Sequence, residues 1–93
     1  MILVTVKAFA DFRELLGPEV VLSIAEGETV RGLLQTLSQR HAAFLAKILE
    51  ADGQLKPYIS ILENGRNIDS LDNLDTRLEE GDIIAIFPPL AGG

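Results

Sequence analysis

The sequence predicts an α+β domain, a mixed sheet of about five strands with one main helix packed on it. Three observations carry this. Ile2, Val4 and Val6 alternate with Leu3, Thr5 and Lys7 at the period of a strand. Val30, Leu33, Leu34, Leu37, Phe44, Leu45 and Ile48 recur at helical spacing. Two further apolar runs, Tyr58 to Leu62 and Ile83 to Phe87, lie beside turn-forming residues.

The first strand, with its β-branched residues, has one strongly apolar face. Ala8 to Pro18 breaks the alternation; Asp11 can cap one helical turn there, and Gly17-Pro18 stops it. Val20 to Ile24 resumes strand character, so the first two strands should pair antiparallel before Ala25-Glu26-Gly27-Glu28 turns the chain. The main helix then runs from its N-cap Thr29 through Ile48. Gly32 in its first turn costs up to ~1 kcal/mol relative to alanine, and the glutamate that would complete a capping box is not at that position.

Ala51 to Pro57 is a polar break. Tyr58 to Leu62 reads as a strand, Asn64-Gly65 as a tight turn, and Arg66-Asn67-Ile68 as a short partner strand. Leu71, Leu74 and Leu78 belong to turns or a short helix that cover the core, and Glu79 to Asp82 turn the chain into the last strand. There is no internal repeat or second composition regime, which predicts one domain over residues 1–87 followed by an extended tail over 88–93.

The chemistry open to the chain is narrow. With no cysteine among its 93 residues, disulfides, thiolate metal sites and a cysteine nucleophile are excluded. His41 is the only histidine and has no metal-binding partner, while Asp69, Asp72 and Asp75 lack the glycine and terminal glutamate of a calcium loop, so no metal site is expected. Gly27 stands alone and makes no phosphate cradle. Fourteen acidic against eight scattered basic residues give a net charge of −6, which argues against nucleic acid and favours a partner with a basic face. No apolar run approaches the ~20 residues needed to span a bilayer, and no basic leader precedes one. A cytoplasmic protein with no membrane contact is the expectation.

What remains is the tail, Pro88-Pro89-Leu90-Ala91-Gly92-Gly93. The prolines hold Phe87 and Pro88 extended and remove backbone donors, so the sheet ladder stops while the chain continues. Six residues span at most ~20 Å, enough to carry a carboxylate into a neighbouring protein. Gly92 and Gly93 leave nothing bulky beside that carboxylate. With a pKa of about 3.5 it is ionised and a poor electrophile. Adenylation would supply a leaving group, and sulfide attack would then displace AMP and leave a thiocarboxylate.

Ala8-Phe9-Ala10-Asp11-Phe12-Arg13-Glu14-Leu15-Leu16-Gly17, Leu78-Glu79-Glu80-Gly81-Asp82 and Phe87-Pro88-Pro89-Leu90-Ala91-Gly92-Gly93 together resemble the MoaD family, the small sulfur-carrying subunit of molybdopterin synthase. The resemblance covers the whole chain and implies a β-grasp, ubiquitin-like fold. It implies that Gly93 is adenylated by a ubiquitin-activating-type enzyme using ATP, takes sulfur from a sulfur donor protein, and gives it to precursor Z in the large synthase subunit. This chain would bind no cofactor itself and would not be an enzyme alone. Gly92, Ala91, Leu90, Pro89 and Pro88 would thread into the partner, with Phe87 where strand becomes tail, and Phe9, Phe12 and Arg13 on a partner-facing surface. A thiamine-pathway carrier of the ThiS type, a protein modifier conjugated through Gly93, and a plain interaction module are the competing readings.

Overall fold

The computed structural model describes residues 1–88. Its five strands are β1 (Ile2–Ala8), β2 (Glu19–Ile24), β3 (Ser60–Glu63), β4 (Arg66–Asn67) and β5 (Ile83–Phe87), and its helices are α1 (Asp11–Leu16), α2 (Val30–Arg40) and α3 (Phe44–Ile48). The sheet order is β2-β1-β5-β3-β4. β1 pairs antiparallel with β2 and parallel with β5, while β3 is antiparallel to both β5 and β4. The mixed α+β architecture and the short β4 partner follow the sequence pattern.

Alternation sorts the two faces. Val4, Val6, Ile61, Ile84 and Ile86 point inward and join Val30, Leu33, Leu34, Leu37, Phe44 and Ile48 in a single core. The other face leaves Leu3, Val21 and Ile83 exposed.

The main helix is not continuous, contrary to the spacing argument. It ends at Arg40, with the His41 backbone N–H on the Leu37 carbonyl, and restarts at Phe44. The cause is the apolar stripe itself. The positions three and four beyond Leu37 are Arg40 and His41, and an unbroken helix would turn both toward the core. The break leaves Arg40 exposed and still brings Phe44 and Ile48 to full burial.

At the start of α2, Thr29 is the N-cap and its side chain accepts from the Gly32 N–H at 3.3 Å. The reciprocal half of the capping box comes from Glu28, whose Oε1 accepts the Thr29 N–H at 3.1 Å. A Cβ on Gly32 would collide with that carboxylate. Glycine is there because Glu28 occupies the space.

The strand and turn limits shift slightly. β3 begins at Ser60, leaving Tyr58 exposed, and Ile68 leaves β4 to start a 3₁₀ turn, Ile68–Ser70, that buries its side chain. Leu74 and Leu78 cover the core as expected, Leu74 from a second 3₁₀ turn at Asn73–Asp75.

Candidate functional site

The candidate site is the end of β5, where the sheet hands the chain to the tail. Pro89, Leu90, Ala91, Gly92 and Gly93, the residues expected to thread and to carry the chemistry, lie outside the described residues, as does the tail beyond Pro88. The root of the tail is described. Phe87 is opposite Ser60 on the β3 side, and on the β1 side the parallel ladder has its last pair at Ala8 and Ile86. One position further, backbone pairing gives way to side chains. The rings of Phe9 and Phe87 stack with centroids 4.3 Å apart and planes 12° from parallel. Phe9 remains 37% exposed, so this pair forms an apolar plate at the surface beside the point of exit.

The plate is continuous with the open face of the sheet. Register places Val21, Thr5 and Ile83 in one row across β2, β1 and β5. Leu3 lies on the same face two residues before Thr5. Leu3, Val21 and Ile83 are outward positions in alternating strands, yet their side chains are apolar, and that conflict with the alternating pattern is the sequence signal for this exposed apolar strip.

Of the other residues expected on a partner-facing surface, Arg13 is exposed on α1. Phe12 is corrected. It is buried, its ring edge-on to Phe44 with centroids 5.7 Å apart, and so belongs to the core. Only Ala10 and Asp11 separate Phe9 from Phe12, and the turn they form sends one ring out over β5 and the other inward. Phe12 reaches the surface only in a shallow recess of about 240 Å³ that it shares with Asp11, Lys47, Lys56, Ile59 and Pro88. Two lysines thus flank the tail root of a strongly acidic chain.

His41 caps the C-terminus of α2 and is half-buried. Among the described residues, no group of three or more histidine, aspartate or glutamate side chains is arranged to hold a metal ion. No helix there is long and apolar enough to cross a membrane.

A second polar cluster braces β5 at its other end. Asp82 is buried; its Oδ1 accepts from Asn64 Nδ2 at 2.9 Å and its Oδ2 from the Glu79 N–H at 2.8 Å. Burial pushes Glu63 up to about 7, helped by its hydrogen bond to Asp82 and by the negative charge of that neighbour. Burial also acts against ionised Asp82, but the bonds from Glu63, the Glu79 backbone and Asn64 outweigh it and hold Asp82 below its ordinary range. Below about pH 7 Glu63 keeps a proton and Asp82 is the charged member of the pair.

A family model described as the ThiS family matches residues 6–93. The chain belongs to the ThiS family. A small archaeal modifier protein 3 from Haloferax volcanii is 35% identical over 88 residues, covering 94% of this chain and 95% of the relative. An Archaeoglobus fulgidus protein described as a sulfur carrier is 46% identical over 69 residues, covering 74% and 78%. Among solved structures, small archaeal modifier protein 1 from Methanosarcina acetivorans superposes with a TM-score of 0.82 at 40% identity, covering 100% of this chain and 98% of the other. A Pyrococcus furiosus protein described as molybdopterin converting factor, subunit 1, gives 0.77 at 32%, covering 97% and 100%.

The fold is therefore the ubiquitin-like β-grasp. As a ThiS-family member the chain is a small ubiquitin-like sulfur carrier or modifier.

Proposed function

We propose that this ThiS-family chain carries sulfur as a thiocarboxylate on Gly93 and delivers it to precursor Z in the large subunit of molybdopterin synthase. The observation that supports this most is that the family match extends through residue 93, so the Phe87-Pro88-Pro89-Leu90-Ala91-Gly92-Gly93 segment belongs to the family's own pattern. A ubiquitin-activating-type enzyme would transfer AMP from ATP to the Gly93 carboxylate, releasing pyrophosphate. Sulfide-level sulfur from a donor protein would then displace AMP. The chain's own contribution is delivery: a sheet that anchors β5, an apolar plate beside the exit, and a tail whose last two residues carry no side chain. A Pyrococcus furiosus relative described as a molybdopterin converting factor favours this acceptor.

The small archaeal modifier relatives favour a second use of the same activated carboxyl group, an isopeptide bond between Gly93 and a target lysine. Both uses begin with the acyl-adenylate and part at the nucleophile.

The test begins with purified chain, activating enzyme, ATP and sulfide, read by intact-protein mass spectrometry. One oxygen of the terminal carboxyl group should be replaced by sulfur; an unchanged mass would reject the sulfur-carrier reading. The thiocarboxylated protein is then mixed with the large synthase subunit and precursor Z, or with the thiazole-forming enzyme of the thiamine pathway. Formation of the dithiolene only in the first mixture assigns the molybdopterin branch. Removing Gly93, or adding a residue after it, should abolish transfer at unchanged thermal stability.

A further inference from the structure

Three non-glycine residues among those described have positive φ: Ala10, Asn64 and Asn73. Asparagine tolerates this geometry because its side chain bonds locally. Ala10 has no such help. Its φ of 52° and ψ of −127° fall in a region that suits glycine, close to the first central position of a type II′ turn. The turn is Phe9 to Phe12, closed by the Phe12 N–H on the Phe9 carbonyl at 3.2 Å, and the Arg13 N–H bonds the Ala10 carbonyl at 3.0 Å. Strain of this kind persists only where the surroundings over-determine it. Here each end of the turn is an anchored aromatic ring, Phe12 in the core against Phe44 and Phe9 on Phe87.

We propose that the Phe9-Ala10 turn is a positioning device for the tail: its two anchored ends hold the Phe9 ring flat on Phe87 and so set the direction in which the chain leaves β5 at Pro88. The need for such a device follows from the local backbone. The β1–β5 ladder is paired last at Ala8 and Ile86, and Pro88 and Pro89 have no N–H to donate. Pro88 therefore has no N–H with which to extend the ladder toward β1. The aromatic stack takes over, and the turn is wound so that Phe9 lies over Phe87 and does not follow Phe12 inward. Phe9 is thus a positioning residue, acting through Phe87 on the exit of the chain at Pro88.

The proposal rests on the tail-delivery reading for its functional half only; the placement of the rings is tested in the free protein. Ala10→Gly, Phe9→Ala and Phe9→Leu are compared with the parent chain by NMR and in the adenylation assay. Ala10→Gly should fold with an unchanged or higher midpoint, because glycine relieves the strain. It should also keep the ring-current shifts at Phe87 and Pro88, because glycine suits the turn geometry that the two anchored rings impose. Phe9→Ala and Phe9→Leu should both lose the shifts that the Phe9 ring produces. With the activating enzyme, KM should rise about fivefold in Phe9→Ala, the cost of ordering a tail root no longer held in advance, with kcat retained, and less in Phe9→Leu, which keeps an apolar contact with Phe87. Lost shifts in Ala10→Gly would overturn this account of the turn. Unchanged KM in Phe9→Ala would overturn the device altogether. Should the parent chain not be adenylated at all, the functional reading fails while the ring-current result still decides whether the turn places Phe87.

Discussion

Asn64 and Asp82 are joined by a hydrogen bond of 2.9 Å from the Asn64 carboxamide nitrogen to the Asp82 carboxylate. The same carboxamide accepts the Ile83 N–H at 2.8 Å, and the Asn64 N–H donates to the Ile83 carbonyl at 2.8 Å. The Asn64-Gly65 turn, with φ of 50° and 86°, is thereby tied to the start of β5. Asn64→Ala loses two side-chain bonds and strains an alanine at positive φ, for a cost of about 2 kcal/mol in urea unfolding. Asn64→Gly keeps the turn geometry and should cost about half as much. Equal losses in the two variants would show that strain at this φ contributes nothing, and no loss in Asn64→Gly would show the same of the carboxamide.

The proton on Glu63 makes stability depend on pH. Glu63 is raised from 4.5 to about 7, so its favourable contribution is complete below pH 4.5 and is lost as pH rises through 7. Asp82, lowered from 3.8, contributes in the opposite sense, and its share is lost as pH falls below that value. This pair therefore favours the fold most near pH 4, and its contribution should decline by about 1 to 2 kcal/mol between pH 4.5 and 8 once solvent screening is allowed for. Glu63→Gln keeps a donor facing Asp82 but cannot ionise. Unfolding midpoints across this range should slope downward in the parent and be flatter in the variant; parallel slopes would refute the assignment to Glu63.

Gly32 and Glu28 compete for one space at the start of α2. Alanine at position 32 gains up to ~1 kcal/mol of helix propensity but displaces the Glu28 carboxylate from the Thr29 N–H. The net change in Gly32→Ala should be within about 0.5 kcal/mol. In a Glu28→Ala background nothing is displaced, and the full gain should appear. Denaturation of the four proteins of this double-mutant cycle measures the coupling directly; an additive cycle would remove the steric account.

Position along the chain decided which features could be read in advance. Strand alternation, the Asn64-Gly65 turn and the Thr29 cap are local patterns with a fixed period or residue type, and each appears where the sequence placed it. The break after Arg40 was also written locally, in Arg40 and His41 falling on the stripe after Leu37, but Ala42-Ala43 are strong helix formers and masked it. Glu63 with Asp82, and Phe9 with Phe87, meet only because β5 lies between β1 and β3 in the sheet. Long-range register of that kind has no local signature. The Gly92-Gly93 ending behind Pro88-Pro89 is the opposite case, a purely local pattern whose proposed role needs no fold around it to be stated.

Phe12 and Phe9 should separate cleanly in experiment although one motif contains both. Phe12 is 3% exposed and packs edge-on against Phe44, so Phe12→Ala should cost about 3 to 5 kcal/mol. Phe9 has only one ring neighbour of this kind, on Phe87, and is partly open to water; Phe9→Ala should cost about 1 kcal/mol. Arg13→Ala, at an exposed position, should stay within about 0.5 kcal/mol of the parent. Urea unfolding of the three variants tests the ranking. The same variants then divide packing from recognition. Any loss of partner activity in Phe12→Ala should disappear once rates are corrected for the folded fraction, whereas losses in Phe9→Ala or Arg13→Ala should persist in fully folded protein. A Phe12→Ala variant that folds as well as Phe9→Ala, yet fails with partners, would return Phe12 to the contact surface from which its burial removes it.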